Sequence, residues 1–235
     1  MKLYNTYLWI WLALASCSKA PEILVVTGGH AYDTTEFLGL FQSLEGIGFE
    51  PVSHPGAMDL LSSASVGTYD LILFYDYMPD LPLEDSIIFQ DLAQMGMPMI
   101  FMHHALCNFQ RWEGYASMVG GKYVMPGFHP DSSLHSGYAH DLDLTITVLD
   151  PDHPVTRGIG QFVIHDEGYY NIQVKPGVHP LLGTQHPYCA SQVAWENQWN
   201  NSTCLYLMFG HDKQAYANQN LTLLLENSIQ YLSNL

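Results

Sequence analysis

Basic residues are scarce: seven Lys and Arg stand against 23 Asp and Glu, for a formal net charge of −16 at pH 7. Nucleic-acid backbones and anionic headgroups both need a basic surface, so neither is expected as a partner. Neutral and cationic ligands remain open. No Lys or Arg lies near Gly28-Gly29, which leaves that glycine pair without the cation a phosphate cradle would use, and a tight turn is the plainer reading. No apolar run reaches the roughly 20 residues that span a bilayer. Cysteines number four, too few for a disulfide scaffold; Cys189 and Cys204 are free to pair in an oxidising compartment, leaving Cys107 odd. There is no HExxH or similar ligand pair, no internal repeat and no low-complexity linker. A metal site would therefore be gathered from separate loops.

The apolar run Tyr7 to Leu14 follows a single Lys2 and ends in Leu14-Ala15-Ser16-Cys17. It has the charged start, short apolar core and small residues of a secretory signal. A cysteine directly after Leu-Ala-Ser resembles the bacterial lipobox. The expectation is a lipoprotein signal peptide over residues 1–16, a lipidated Cys17 with a short tether over 17–22, and one domain over 23–235. Such a protein is anchored to the membrane of the cell envelope by acyl chains, facing the periplasm or the cell surface. An ordinary signal cut near Ser18 or Ala20 is the alternative.

Strand-like runs at Ile23 to Thr27, Leu71 to Phe74 and Met99 to Met102 are apolar throughout. Between them lie helical patterns, with Phe37, Leu40, Phe41, Leu44 and Ile47 in one and Ile88, Leu92 and Met95 in another. A further extended piece covers Glu50 to Ser53, and a helix is predicted from about Ala105 to Met118. Alternation of this kind indicates parallel βαβ units with both sheet faces covered. Gly120 to His140 shows no period and is expected to be a long loop. Leu142, Leu144, Ile146 and Val148 alternate with polar residues, as in an antiparallel or edge strand. Short strands follow around Gln161 to Ile164, Val193 to Trp195 and Leu205 to Phe209, and a last helix carries Leu221, Leu224, Leu225, Ile229 and Leu232.

Ligands of open parallel sheets bind beyond the carboxyl ends of the strands. Here those ends run into His30-Ala31-Tyr32-Asp33, Tyr75-Asp76-Tyr77, His103-His104 and Gly210-His211-Asp212. Each delivers His, Asp or Tyr to one rim, which is taken as the site. Fifteen Tyr, ten Phe and five Trp suit flat, weakly charged substrates such as sugars, although many must be core.

These stretches belong to a longer series. Val26 to Asp33, His103-His104-Ala105 with Phe109 and Trp112, Gly120 to Tyr123, and His140-Asp141 come first. Asp152 to Thr156, Asp166 to Tyr169, Ala194-Trp195 and Gly210 to Asp212 follow. In this order they resemble the ThuA-like (trehalose-utilisation) family over essentially the whole mature chain. The resemblance implies the class I glutamine amidotransferase-like fold: an α/β, flavodoxin-like three-layer sandwich with a mainly parallel sheet, plus an inserted loop-and-strand region. It does not imply amidotransfer. Amidotransferases carry a nucleophilic Cys between glycines at the strand-to-helix elbow, where this chain has His103-His104.

The expected catalytic residues are His104, His30, Glu167 and His211. Of the elbow pair, His104 is preferred over His103 as the one turned toward the site. Tyr32, Asp33, Trp112, His140, Trp195 and Asp212 are the expected substrate-binding residues, the two aspartates orienting imidazoles and the aromatics stacking on a sugar face. His129, His153, His179 and His186 each precede a proline and read as turn structure. Cys107 would act as a nucleophile only with a lowered pKa, and a helix would turn its thiol away. Several imidazoles with a carboxylate also admit a divalent metal such as zinc.

The resemblance implies carbohydrate utilisation, often beside sugar oxidoreductases. The expected chemistry is proton abstraction next to the carbonyl of a keto-sugar or keto-glycoside, leading to elimination or isomerisation. An imidazole or Glu167 acts as base, with His30, His211 or a metal stabilising the oxyanion. The alternatives are a non-catalytic, lipid-anchored glycan-binding protein and, less favoured, a hydrolase using Cys107.

Overall fold

The computed structural model describes residues 20–235. The expected signal peptide and Cys17 lie outside the described residues. Four strands and three helices open the chain: β1 (Glu22–Gly28), α1 (Thr34–Gln42), β2 (Gly48–Ser53), α2 (Gly56–Leu61), β3 (Leu71–Asp76), α3 (Ser86–Gln94) and β4 (Met99–Met102). Then come α4 (Glu113–Val119), β5 (Gly121–Lys122), β6 (Gly137–Val148), β7 (Phe162–Tyr170), β8 (Gln173–Val174), β9 (His179–Thr184), β10 (Gln192–Trp199) and β11 (Ser202–Leu207). Helices α5 (Lys213–Tyr216) and α6 (Gln219–Leu232) end it.

Nine strands form one sheet in the order β2-β1-β3-β4-β11-β10-β9-β6-β7, while β5 and β8 pair apart. The first five are parallel and reproduce the doubly wound order in which the second strand lies outside the first. The remaining four are antiparallel. The two halves differ for a reason visible in their residues. Every residue of β3 and β4 is buried, which requires cover on both faces and suits parallel strands between helices. By contrast β6 alternates exposed and buried positions along much of its length, leaving one face wet.

The helices close the core with their apolar stripes. Phe37, Leu40 and Phe41 do so on α1, and Leu221, Leu224, Leu225, Ile229 and Leu232 on α6. Phe74 and Phe101, from adjacent parallel strands, stack with ring centroids 5.1 Å apart.

Two expectations are corrected and a third is narrowed to one of its alternatives. The helix from Ala105 to Met118 does not form as one piece: a 3₁₀ turn covers His103–Cys107, an extended segment follows, and α4 starts at Glu113. Asn108 causes the break. Its Oδ1 accepts the Met78 N–H at 2.5 Å and its Nδ2 donates to Asp76 at 2.8 Å, while Phe109 N–H donates to the Met78 carbonyl from a left-handed φ of 47°. The backbone is thus tied to the loop after β3 and cannot continue a helical ladder. Second, the stretch Gly120 to His140 is not all loop: it holds β5, a 3₁₀ turn at Ser132–Leu134 and the start of β6. His140 therefore lies within a strand, beside a bulge between Ala139 and Leu142 where Asp141 takes φ 56°. Third, β6 is antiparallel but internal, flanked by β7 and β9, and β7 is the edge.

The glycine pair after β1 serves close approach. A Cβ on Gly29, at φ +91°, would lie 1.9 Å from the Tyr77 carbonyl oxygen. Only glycine lets the loops after β1 and β3 meet in this way.

Candidate functional site

A cavity of about 810 Å³ opens at the carboxyl ends of β1, β3, β4 and β11. Its walls carry His30, His103, His104, His140 and His211, the carboxylate of Glu167, and Tyr32, Tyr77, Tyr123, Tyr138, Tyr169 and Tyr170. Among the described residues, neither lysine nor arginine lines it. Four of the histidines come from the parallel half of the sheet or the loop after β11. Glu167 and Tyr169 come from β7, and His140 from β6, so the antiparallel half folds back over the rim.

Asp166 is the hinge of that closure. It is fully buried at the rim, where Oδ2 accepts Gly210 N–H at 2.7 Å and Oδ1 accepts those of His211 at 2.9 Å and Glu167 at 2.8 Å. One carboxylate thereby sets β7 against the loop that carries His211. Burial raises its pKa, although His103 and the three N–H groups act in the opposite sense.

Two groups of side chains result. In the first, His30 Nδ1 lies 2.5 Å from the Ala31 carbonyl, which can only accept, so the hydrogen sits on Nδ1. His30 Nε2 then accepts from His104 Nδ1 at 3.0 Å. His104 packs against the Tyr75 ring, with centroids 4.4 Å apart. Its burial, followed by the charges that His103, His30 and His211 can carry, holds its pKa well below the ordinary value. Burial likewise lowers His30.

The second group centres on Glu167. His140 Nδ1 lies 3.0 Å from Oε1, while His103 Nε2 and His211 Nδ1 lie 3.3 and 3.7 Å from Oε2. His103 Nδ1 donates to the Met208 carbonyl at 2.7 Å, and the Tyr169 hydroxyl stands 3.1 Å from Nε2. Burial opposes charge on His103, but the bond to Glu167 and the charges of Asp166 and Glu167 outweigh it and raise its pKa. For Glu167, burial acts upward and is outweighed by the bond from His103 and the charges of His103, His211 and His140, so its pKa falls. Burial also lowers His211.

These shifts fix a sign for stability against pH. Unfolded histidines titrate near 6.5. His104, held far below that, contributes stability that is present above 6.5 and lost as pH falls from there; His30 and His211 act in the same sense. His103, raised, contributes stability present below 6.5 and lost as pH rises through its folded value. Glu167 acts only under its unperturbed value near 4.5. The expected outcome is a fall in unfolding free energy between pH 7 and 5. The slope contributed by His104 approaches about 1.4 kcal/mol per pH unit. Urea titrations at pH 7, 6 and 5 read it, and His104→Ala flattens the curve.

Of the expected site residues, His30, His104, His140, Glu167, His211, Tyr32, Asp33 and Asp212 line the cavity, and so does His103, the elbow histidine not chosen. The expectation that one elbow histidine would turn into packing is overturned. His103 takes φ 54° and the chain then coils into a 3₁₀ turn, so strand alternation no longer applies and both rings reach the cavity. Trp195 is fully buried, with Nε1 donating to Val119 and its ring against Tyr206. Trp112 packs on Phe89, Phe109 and Trp199. Neither reaches the cavity, so neither stacks on a ligand there. Asp33 and Asp212 orient backbone instead of imidazoles: Asp33 accepts Lys213 N–H, and Asp212 caps α5 through Gln214 and Ala215.

Cys107 does line the cavity, yet burial pushes its thiol pKa far up, the reverse of what a nucleophile needs. Cys107, Cys189 and Cys204 are all free thiols; Cys189 lies against Met208 and Cys204 is buried within β11. None of His129, His153, His179 and His186 lines the cavity. The tyrosine walls and Asp166 are what the sequence reading missed. Tyr138 with His140, and Glu167 with Tyr169, stand two apart on strands, a period that would have placed each pair on one face.

Against known proteins, the family model for ThuA, described as trehalose utilisation, matches residues 22–232. No curated protein matches the chain by sequence. A ThuA-like protein from Parabacteroides merdae superposes with a TM-score of 0.74 at 14% identity, covering 92% of this chain and 90% of that one. One from Bacteroides uniformis gives 0.69 at 19% identity, covering 93% and 94%. PurLQS from Thermotoga maritima gives 0.58 at 14% identity, covering 91% and 99%, which places the fold with the class I glutamine amidotransferase-like, flavodoxin-like sandwiches. With a family match over nearly all its described length and the same sheet behind it, the chain belongs to the ThuA family.

Proposed function

We propose that this protein is a carbohydrate-processing enzyme acting on keto-sugars or keto-glycosides by histidine acid–base chemistry. The observation that carries the reading is the convergence of five imidazoles with the Glu167 carboxylate in a tyrosine-walled cavity that, among the described residues, no Lys or Arg lines. The aromatic walls suit the flat faces of a neutral sugar, and the family's description is a sugar-utilisation one.

His104, neutral at physiological pH, takes the proton from the carbon beside the ketone and shares it with His30 through their 3.0 Å contact. The C–H electron pair forms the carbon–carbon double bond as the bond to the leaving oxygen breaks. That oxygen takes its proton from an imidazole of the Glu167 group. Isomerisation shares the first step and ends with reprotonation elsewhere. A sugar oxidoreductase that installs the ketone acts in the same pathway. The protein works at the cell envelope, held by a lipid on Cys17.

The test is to incubate the protein with a keto-glycoside and with its unoxidised parent, following aglycone release by NMR. Release from the keto-glycoside alone is expected. Tyr138 and Tyr170, exposed residues that line the cavity, favour the second reading of plain glycan capture. Saturable binding of both sugars with no product supports that reading, and neither binding nor product removes both.

A further inference from the structure

We propose that His103, Glu167 and His211 form a divalent-cation site, open on the cavity side. Each offers one ligand atom, and the three atoms lie within 4.8 Å of one another. Atoms bound to zinc at about 2.0–2.1 Å in tetrahedral array stand roughly 3.3 Å apart. His103 Nε2 and Glu167 Oε2 are separated by 3.3 Å, and His211 Nδ1 lies 3.7 Å from the same oxygen. These spacings suit a shared ion better than a direct ion pair, whose N···O distance is about 2.7–2.9 Å.

Three imidazoles crowd this one carboxylate, and they cannot all be cationic without repelling one another. A cation between them resolves the arrangement with neutral rings. The surroundings are already those of ligands. The Met208 carbonyl holds one hydrogen of His103 on Nδ1, so Nε2, which bonds Glu167 when protonated, is the atom that would turn a lone pair to an ion beside that carboxylate. This is the orienting bond that metal-bound histidines commonly make. Asp166 fixes the backbone of both Glu167 and His211.

Two imidazoles and a carboxylate form a nitrogen–oxygen donor set that suits zinc and related first-row ions. His140, 3.0 Å from the other Glu167 oxygen, is placed to hold a water bound to the ion. The remaining position faces the cavity, where it would take a carbonyl or hydroxyl oxygen of a ligand. The site does not rest on the proposed reaction, because it can be measured without turnover.

The test uses the untagged chain, stripped with chelator and titrated with Zn²⁺ by calorimetry and with Co²⁺ by visible absorption. One equivalent is expected to bind, with cobalt bands of a low-coordinate site. Glu167→Gln and His211→Ala should each weaken binding at least tenfold, whereas His30→Ala leaves it unchanged. His211 stands on a partly exposed loop, so its variant decides the matter if Glu167→Gln fails to fold. Failure of both ions to bind overturns the site. So does binding that survives His211→Ala, which would place the ion elsewhere, such as at the exposed His165, Asp141 and Asp143.

Discussion

Replacing His104 with alanine is expected to lower turnover of a keto-glycoside by about 10²- to 10⁴-fold, the usual contribution of a positioned acid or base. The unfolding midpoint should stay within a few degrees of the parent. The two effects separate because His104 makes few bonds that hold the fold, and its burial penalises only the charged form. It is buried, shifted well below the ordinary histidine pKa, and bonded to another side chain only through His30. The loss should fall on kcat more than on KM, since the tyrosine walls proposed to hold the sugar remain. His30→Ala should give a smaller loss, because His30 only shares the proton. Steady-state kinetics with thermal unfolding of the same samples checks both. Retained turnover in His104→Ala would remove it from the mechanism.

Replacing Asp166 with alanine is expected to cost about 3–5 kcal/mol of stability, as breaking a buried charged partnership does. That corresponds to a fall in Tm of roughly 10 °C for a chain of this size. Two buried N–H groups and one partly buried one lose their acceptor at once. Asp166→Asn separates the contributions: its amide oxygen can still serve Glu167 and His211, but its NH₂ group confronts Gly210 N–H. It should therefore cost about 1–2 kcal/mol. Both variants should disturb the distance between His211 and Glu167 and lower activity through that route. Urea unfolding of the three proteins reads the order, and an alanine variant as stable as the parent would contradict it.

Much of the parallel half was legible because its signals are local. Apolar runs without alternation name strands buried on both faces, and β1, β3 and β4 lie where those runs do. The chemistry-bearing ends of these strands then fall on one rim by a rule of topology. What resisted reading depends on contacts distant in sequence. The helix predicted after His104 is broken by Asn108, which bonds to Asp76 and Met78 some 30 residues away. An acid beside an acid reads as a solvated corner, yet Asp166 is buried because the loop at Gly210 supplies N–H groups 44 and 45 residues later. Trp112 and Trp195 illustrate the opposite error, since an aromatic fit for stacking on a sugar is equally fit for the core. The preference for His104 over His103 fails because the backbone leaves the strand at His103 with φ 54°, and both rings then reach the cavity.

The proposed reaction begins with removal of a proton beside a ketone. Deuterium placed on that carbon of a keto-glycoside, with aglycone release followed in a single turnover, tests it most directly. Slower release from the deuterated substrate is the predicted result, with no release in His104→Ala. Equal rates for the two isotopologues, or equal release from the unoxidised glycoside, would contradict the claim.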